Sequence, residues 1–214
     1  MLEPLREAVA AACRRLAAQG LVAGTSGNVS AREGDRVAIT PTGGKLAELS
    51  GADVSVVSLD GEHLDGALAP TSEIALHLGV HRRYDAGAVV HTHAPVGTAL
   101  SLVLDELPCV HYEMLALGGT VRVAPYVTFG TPELAGSVLD ALEGRTAALM
   151  ANHGTIAYAH DLDEAVRRSE LLEWACTLYW RAAQVGEPRA LDEGARQAVV
   201  EAALARGYGE TKSA

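Results

Sequence analysis

The residues with the clearest chemical potential are imidazoles. His91 and His93 lie two apart in Ala88-Val89-Val90-His91-Thr92-His93, which reads as a strand, so both rings point to one face and can reach a common point. His153 stands in Ala151-Asn152-His153-Gly154, just after the apolar run Ala147 to Met150, where a strand ends and a turn begins. Imidazole nitrogens suit zinc and other late first-row metals, and a catalytic zinc site wants three protein ligands with one position open. Glu73, His77 and His81 form a competing set, spaced by four on a predicted helix. A solvated helix face is the ordinary reading of that pair of histidines, and His63 and His160 read as loop residues.

Phosphate recognition has no basic cluster to rest on. Gly24-Thr25-Ser26-Gly27-Asn28 and Thr40-Pro41-Thr42-Gly43-Gly44 are instead dense in backbone amides and hydroxyls, which can cradle an anion. Thr71 and Ser72 add two hydroxyls at a predicted helix N-terminus, where the dipole favours negative charge. Each segment alone is also an ordinary turn, and no dinucleotide or Walker pattern is present. The only lysines are Lys45 and Lys212, and neither sits in an apolar pattern that would depress its pKa, so a Schiff-base route is disfavoured.

The elements that must position these groups can be read from periodicity. Leu5, Val9, Ala12, Cys13 and Leu16 recur at helical spacing and stop at Gly20. Asn28 to Ser30 and Val37 to Thr40 read as a hairpin, and Val54 to Leu59 as a third strand with a short return. Thr71 or Ser72 is the expected N-cap of a helix carrying Glu73 in its first turn. A strand at 88–93, a helix from Pro95 to about Leu104, a strand at 120–124, a helix from Thr131 to Leu142 and an apolar run at 147–150 follow. Asp161 opens a long helix ending near Gly186, and a last helix runs from about Asp192 to Ala205. Strands and helices alternate, yet hairpin-like strands come first. The expected fold is therefore a single α/β layered domain, residues 1–214, with a mixed, largely antiparallel central sheet.

The chain has 214 residues, 49% of them hydrophobic, with 27 acidic against 17 basic side chains. That is enough apolar material for a core, and the balance of charge disfavours nucleic acid as a partner. No apolar run approaches the roughly 20 residues of a membrane span. The N-terminus lacks the features of a signal peptide. Cys13, Cys109 and Cys176 are odd in number and set in apolar surroundings, which reads as buried thiols in a reducing compartment. The expected location is cytoplasmic.

Taken together, several motifs carry a resemblance. Gly27-Asn28-Val29-Ser30, Thr40-Pro41-Thr42-Gly43, Pro70-Thr71-Ser72-Glu73, Val90-His91-Thr92-His93, the run Ala124 to Thr131 and Asn152-His153-Gly154 occur in the order and spacing of the class II aldolase family. The chain resembles that family from its first helix to about Tyr208, most of all its L-fuculose-1-phosphate aldolase branch. The resemblance implies a three-layer αβα subunit in a homotetramer with active sites between subunits. It implies one zinc or other divalent metal per subunit on His91, His93 and His153, with Glu73 both approaching the metal and acting as general acid/base. Gly27, Asn28, Thr42, Gly43, Thr71 and Ser72 fall on the family's phosphate-binding positions, and Phe129 on the wall of the aldehyde pocket. Tyr112 falls on a tyrosine that donates a proton to the aldehyde oxygen from the neighbouring subunit, and Tyr208 on a C-terminal aromatic that folds over the site.

The implied reaction is reversible cleavage of a ketose 1-phosphate, L-fuculose 1-phosphate or similar, to dihydroxyacetone phosphate and a short aldehyde such as L-lactaldehyde. A Lewis-acidic metal would hold the negative charge that develops on the three-carbon half. Two positions depart from the fuculose pattern: Glu113 replaces an apolar residue beside Tyr112, and Thr71 replaces a serine while keeping the hydroxyl. A related deoxyketose-1-phosphate aldolase, a ribulose-phosphate 4-epimerase and a methylthioribulose-phosphate dehydratase are the alternative activities on this fold. The alternative from another class is a non-catalytic interaction module like the adducin head, against which the intact His91, His93, His153 and Glu73 argue.

Overall fold

A computed structural model describes residues 1–206. Helix α1 (Glu3–Ala18) buries Val9, Cys13 and Leu16 along one stripe, as its spacing predicts. Strands β1 (Asn28–Glu33) and β2 (Arg36–Ile39) form the expected hairpin, which β3 (Ser55–Ser58) and β4 (His63–Asp65) extend. His63 therefore begins an edge strand and is not a loop residue. Next come α2 (Ile74–Tyr84), β5 (Ala88–Thr92), α3 (Pro95–Ser101), β6 (Glu106–Leu107) and a 3-10 helix at Tyr112–Leu117. The rest comprises β7 (Val121–Ala124), α4 (Pro132–Ala141), β8 (Ala147–Met150), β9 (Gly154–Ala159), α5 (Leu162–Ala183) and α6 (Glu193–Arg206).

The strands form one sheet in the order β4-β3-β2-β1-β5-β9-β8-β7-β6. Among the described residues β7 and β8 pair in parallel and the other neighbours are antiparallel, so the mixed sheet expected from the early hairpin is present. Side chains alternate between two covered faces. Val90 and Ala88 of β5 pack with α1 and the start of α5, whereas Val89 packs with α2 and α4. Leu149 and Ala157 join α3 and α5 on the first face. Three layers result, and the parity of β5 sends His91 to the α2 side along with Val89.

Three local readings are corrected. Residues 154–159 form a central strand, β9, where the sequence shows only small and mixed residues between a turn and a helix. Helix α3 stops at Ser101 and does not reach Leu104. Neither Thr71 nor Ser72 is the N-cap of α2: that position is Glu73. The Thr71 N–H donates to the Thr40 carbonyl and Pro41 bridges to Pro70, so residues 70–71 stay out of the helix, Ser72 and Glu73 form a turn, and the helix starts later. All three cysteines are free and buried, and burial pushes the Cys13 thiol up to about 12. None has the thiolate character a reactive cysteine needs.

Candidate metal centre and cleft

The site forms where β1, β5 and β9 present one end of the sheet to the N-terminus of α2. Asn28 opens β1 opposite His91 in the antiparallel β1–β5 pair, and Thr92 opposes Thr155 across β5–β9. His93 follows directly after β5, and His153 directly precedes β9. The turn from β8 into β9 closes with the His153 N–H donating to the Met150 carbonyl, and Asn152 holds the left-handed conformation it needs, φ 57°. Gly154 then admits the crossing of the strands: a Cβ there would lie 2.4 Å from the Thr92 carbonyl oxygen and 3.2 Å from Cε1 of His91. Gly27 makes a like approach on the other side, at φ +87° with any Cβ 2.8 Å from the His91 carbonyl oxygen.

The rings of His91, His93 and His153 converge with centroids 5.0 to 5.1 Å apart, and one nitrogen from each lies within 4.8 Å of the other two. The Glu73 carboxylate sits against them, Oε2 3.2 Å from His91 Nε2 and Oε1 3.3 Å from His153 Nε2. His91 Nδ1 donates to the Thr155 carbonyl at 2.9 Å, which turns Nε2 inward. That nitrogen meets Glu73 Oε2 and, at 3.2 Å, His93 Nε2. Glu73 Oε1 is buried without a hydrogen-bond donor. Lone pairs and a carboxylate gathered this closely repel one another unless a cation joins them, so the donor set fits a divalent metal.

Electrostatics agree with that fit. Burial, then the neighbouring imidazoles of His91 and His153, pushes His93 down to about 4, which keeps it neutral and ready to coordinate at neutral pH. Burial and His91 lower His153 in the same direction. For Glu73 burial acts upward, but His91, the Asn28 amide and His153 more than offset it and hold the carboxyl below the usual carboxylate range.

A cleft of about 390 Å³ opens from this cluster. It is lined by Gly27, Asn28, Thr42, Gly43, Thr71, Ser72, Glu73, His93, His153 and Phe129, which brings together nearly all the residues singled out from sequence. His91 lies beneath them, fully buried. Three loops reach the same place because Thr40 ties them: its hydroxyl accepts from the Val29 N–H, its N–H donates to the Val29 carbonyl, and its carbonyl accepts from Thr71. Among the described residues no Lys or Arg lines the cleft, so an anion there would be held by amides, hydroxyls and the N-terminus of α2.

Tyr112 is not part of this lining; it begins the 3-10 helix, packed against the His111 ring. Tyr208 lies outside the described residues. Thr25, Ser26, Tyr126, Val127 and Asn152 also line the cleft and were not singled out, although each stands within or next to a motif quoted above. His77 and His81 do not join a metal cluster with Glu73, and they are not solvated. Both are fully buried and hydrogen-bonded to Ser30, with Asn28 and Ala86 as further partners. His160 is exposed, as expected.

Comparison with known proteins places this arrangement. The family model described as Class II Aldolase and Adducin N-terminal domain matches residues 7–180. A 5-deoxy-D-ribulose 1-phosphate aldolase from Bacillus thuringiensis serovar kurstaki is 38% identical over 213 residues, covering 98% of this chain and 99% of the relative. A 5-methylthioribulose-1-phosphate/5-deoxyribulose-1-phosphate aldolase from Rhodospirillum rubrum is 39% identical over 199 residues, 92% of this chain and 90% of its own. The solved structure of an L-fuculose 1-phosphate aldolase superposes with a TM-score of 0.89 at 33% identity, covering 93% of this chain and 95% of that one. The chain belongs to the class II aldolase family, whose members are metal-dependent, and it carries a three-histidine site. Among the described residues no helix is long and apolar enough to cross a membrane.

Proposed function

We propose that the chain is a zinc-dependent aldolase that cleaves methyl-terminated ketose 1-phosphates to dihydroxyacetone phosphate and a short aldehyde. The observation that carries this reading is the meeting of three imidazoles and Glu73 at the end of an amide- and hydroxyl-lined cleft. A related activity on L-fuculose 1-phosphate is supported by the structural neighbour of that name, and one on 5-deoxyribulose 1-phosphate by the relative that matches over 98% of the chain. The longer match favours the deoxyribulose phosphate, with acetaldehyde as the second product. Tyr126, Val127 and Phe129 at the cleft mouth offer apolar surface to a methyl terminus.

In this reading His91, His93 and His153 hold the metal with Glu73 beside them. Once bound, the metal supplies Lewis-acid polarisation of the ketose oxygens next to the breaking bond. Gly27, Asn28, Thr42, Gly43, Thr71 and Ser72 bind the phosphate and orient C3. In the direction of condensation Glu73 takes the proton from C3, and Tyr112 of a neighbouring copy gives its phenolic proton to the aldehyde oxygen; cleavage is the reverse. A homotetramer in the cytoplasm is the assembly and setting of this reading. The exposed aromatics Tyr126 and Phe129 around the mouth support cover by a second subunit.

The test is release of dihydroxyacetone phosphate from 5-deoxy-D-ribulose 1-phosphate and from L-fuculose 1-phosphate, each with and without a chelator. Chelator-sensitive cleavage with higher kcat/KM on the deoxyribulose phosphate is expected. A metal-loaded chain that cleaves neither compound overturns the proposal.

A further inference from the structure

Behind Glu73 and Asn28 runs a column of buried polar groups, Ser30, His77 and His81, that the proposed chemistry leaves unused. Asn28 Nδ2 donates to Glu73 Oε2 at 2.8 Å, and Asn28 Oδ1 lies 2.5 Å from His77 Nε2. His77 Nδ1 lies 2.7 Å from Ser30 Oγ, which lies 2.8 Å from His81 Nε2. His81 Nδ1 ends the column on the Ala86 carbonyl, 2.8 Å away. Ser30, His77 and His81 are fully buried and none lines the cleft, so they touch neither substrate nor metal.

Two periodicities build this column. Residues 73, 77 and 81 follow one face of α2 at about 6 Å per step, and residues 28 and 30 share one face of β1 at about 6.6 Å. The near match lets Asn28 bridge Glu73 to His77 and Ser30 bridge His77 to His81. Burying polar groups in a core otherwise built from Val, Leu and Ala is costly unless each is paired, and an apolar set would pack there without that requirement.

We propose that His77 is a positioning residue that secures the direction of the Asn28 amide and, through it, the seat of the Glu73 carboxylate. The role rests on the reading of Glu73 as the acid/base. An amide can face a carboxylate by either end, and only the NH₂ end attracts it. The Ala86 carbonyl can only accept, so His81 carries its proton on Nδ1 and turns the Nε2 lone pair to Ser30. His77 carries its proton on Nε2 and donates to Asn28 Oδ1, which leaves Nδ2 for Glu73. Ser30 has one proton for two ring nitrogens: given to His77 Nδ1 it keeps His77 as Nε2–H, and given to His81 it would let His77 donate from Nδ1 and release the amide. The column is therefore settled at its Glu73 end, where the carboxylate draws Nδ2 and His77 secures Oδ1. A reversed Asn28 would press its carbonyl oxygen against the carboxylate.

The test begins with ¹⁵N-histidine NMR of the metal-loaded full chain, with signals assigned by His77→Gln and His81→Gln. His77 is expected as the Nε2–H tautomer and His81 as Nδ1–H; a Nδ1–H tautomer at His77 reverses the amide and overturns the proposal. Kinetics on the same protein form the second arm. His77→Leu should lower kcat at least ten-fold with KM and metal content within two-fold, and His77→Gln, which can donate from a similar point, should recover most of the loss. In an Asn28→Ala background His77→Leu should cost nothing further. A His77→Leu enzyme within two-fold of the parent, or a Gln variant no better than Leu, overturns the role. Should the Leu variant not fold, His77→Met, which also cannot donate, is measured in its place, and a kcat within two-fold of the parent there also overturns it. A parent chain that cleaves no ketose phosphate defeats the functional reading, while the tautomer result still decides the amide direction.

Discussion

Asn28 and His91 are Cα partners across the antiparallel β1–β5 pair, and this one register aligns the two halves of the site. Asn28 turns its amide to Glu73 while His91 turns its ring to the same carboxylate. A slip of one residue would send one of them to the α1 side of the sheet and separate the acid from the imidazoles. Four consequences can be measured.

His93→Ala and His153→Ala each remove one of three converging nitrogens. Metal retained after gel filtration should fall at least ten-fold in each variant, and cleavage should be lost with it. Metal analysis of the purified variants checks this, and full retention in either would contradict the three-histidine assignment.

Glu73→Gln keeps the shape of the side chain and removes its basicity. Metal content should be retained at least in part, while kcat falls by about 10²–10⁴, the range of a lost general acid/base. Unimpaired cleavage would sink the proposed role.

Gly154→Ala places a Cβ 2.4 Å from the Thr92 carbonyl oxygen, between backbone and the rings of His91 and His93. Thermal stability and metal retention should drop together. Gly136→Ala in α4 is the control, since a Cβ there meets nothing within 4 Å. It should be neutral or stabilise by about 0.5–1 kcal/mol. Equal Tm values for the two variants would contradict the close approach.

Acid should weaken the fold through the buried column. Burial, with His81 and His91 adding to it and Glu73 opposing, pushes His77 down to about 3; burial, with Arg32 adding, pushes His81 down to about 4 against the Ala86 carbonyl. The unfolded chain binds these protons near pH 6.5 and the folded chain does not, so stability is fully present above that pH and declines below it toward pH 4. Urea midpoints of the metal-free chain between pH 7.5 and 4.5 should fall with pH. In His77→Gln the slope should shrink by up to about 1.4 kcal/mol per pH unit. A midpoint that rises on acidification would contradict neutral buried rings.

Much of the fold was legible because its signals are local. The stripe Val9, Cys13, Leu16 and the early hairpin state their own conformations through side-chain period and turn residues. His91 and His93 announce a shared direction by spacing alone, and Thr42-Gly43 and Gly27 announce loops by their backbone freedom. Strand β9 was not legible, because its small and mixed residues are held by pairing with β5 and β8 on both sides and not by any preference of their own. The start of α2 was misplaced for a similar reason: a distant carbonyl at Thr40 holds Thr71 extended.

The amino-acid sequence by itself determined which groups are available, namely three imidazoles, one nearby acid and three amide-rich loops, together with the family they resemble. Only the tertiary structure decided the fate of His77 and His81, which spacing alone allows to be ligands, a wet surface or a buried pair. The outcome depends on which face of β1 lies against α2. That face carries Asn28 and Ser30, whose hydrogen bonds make burial of two neutral imidazoles tolerable, and such a partnership spans more than 45 residues of chain that no local pattern connects.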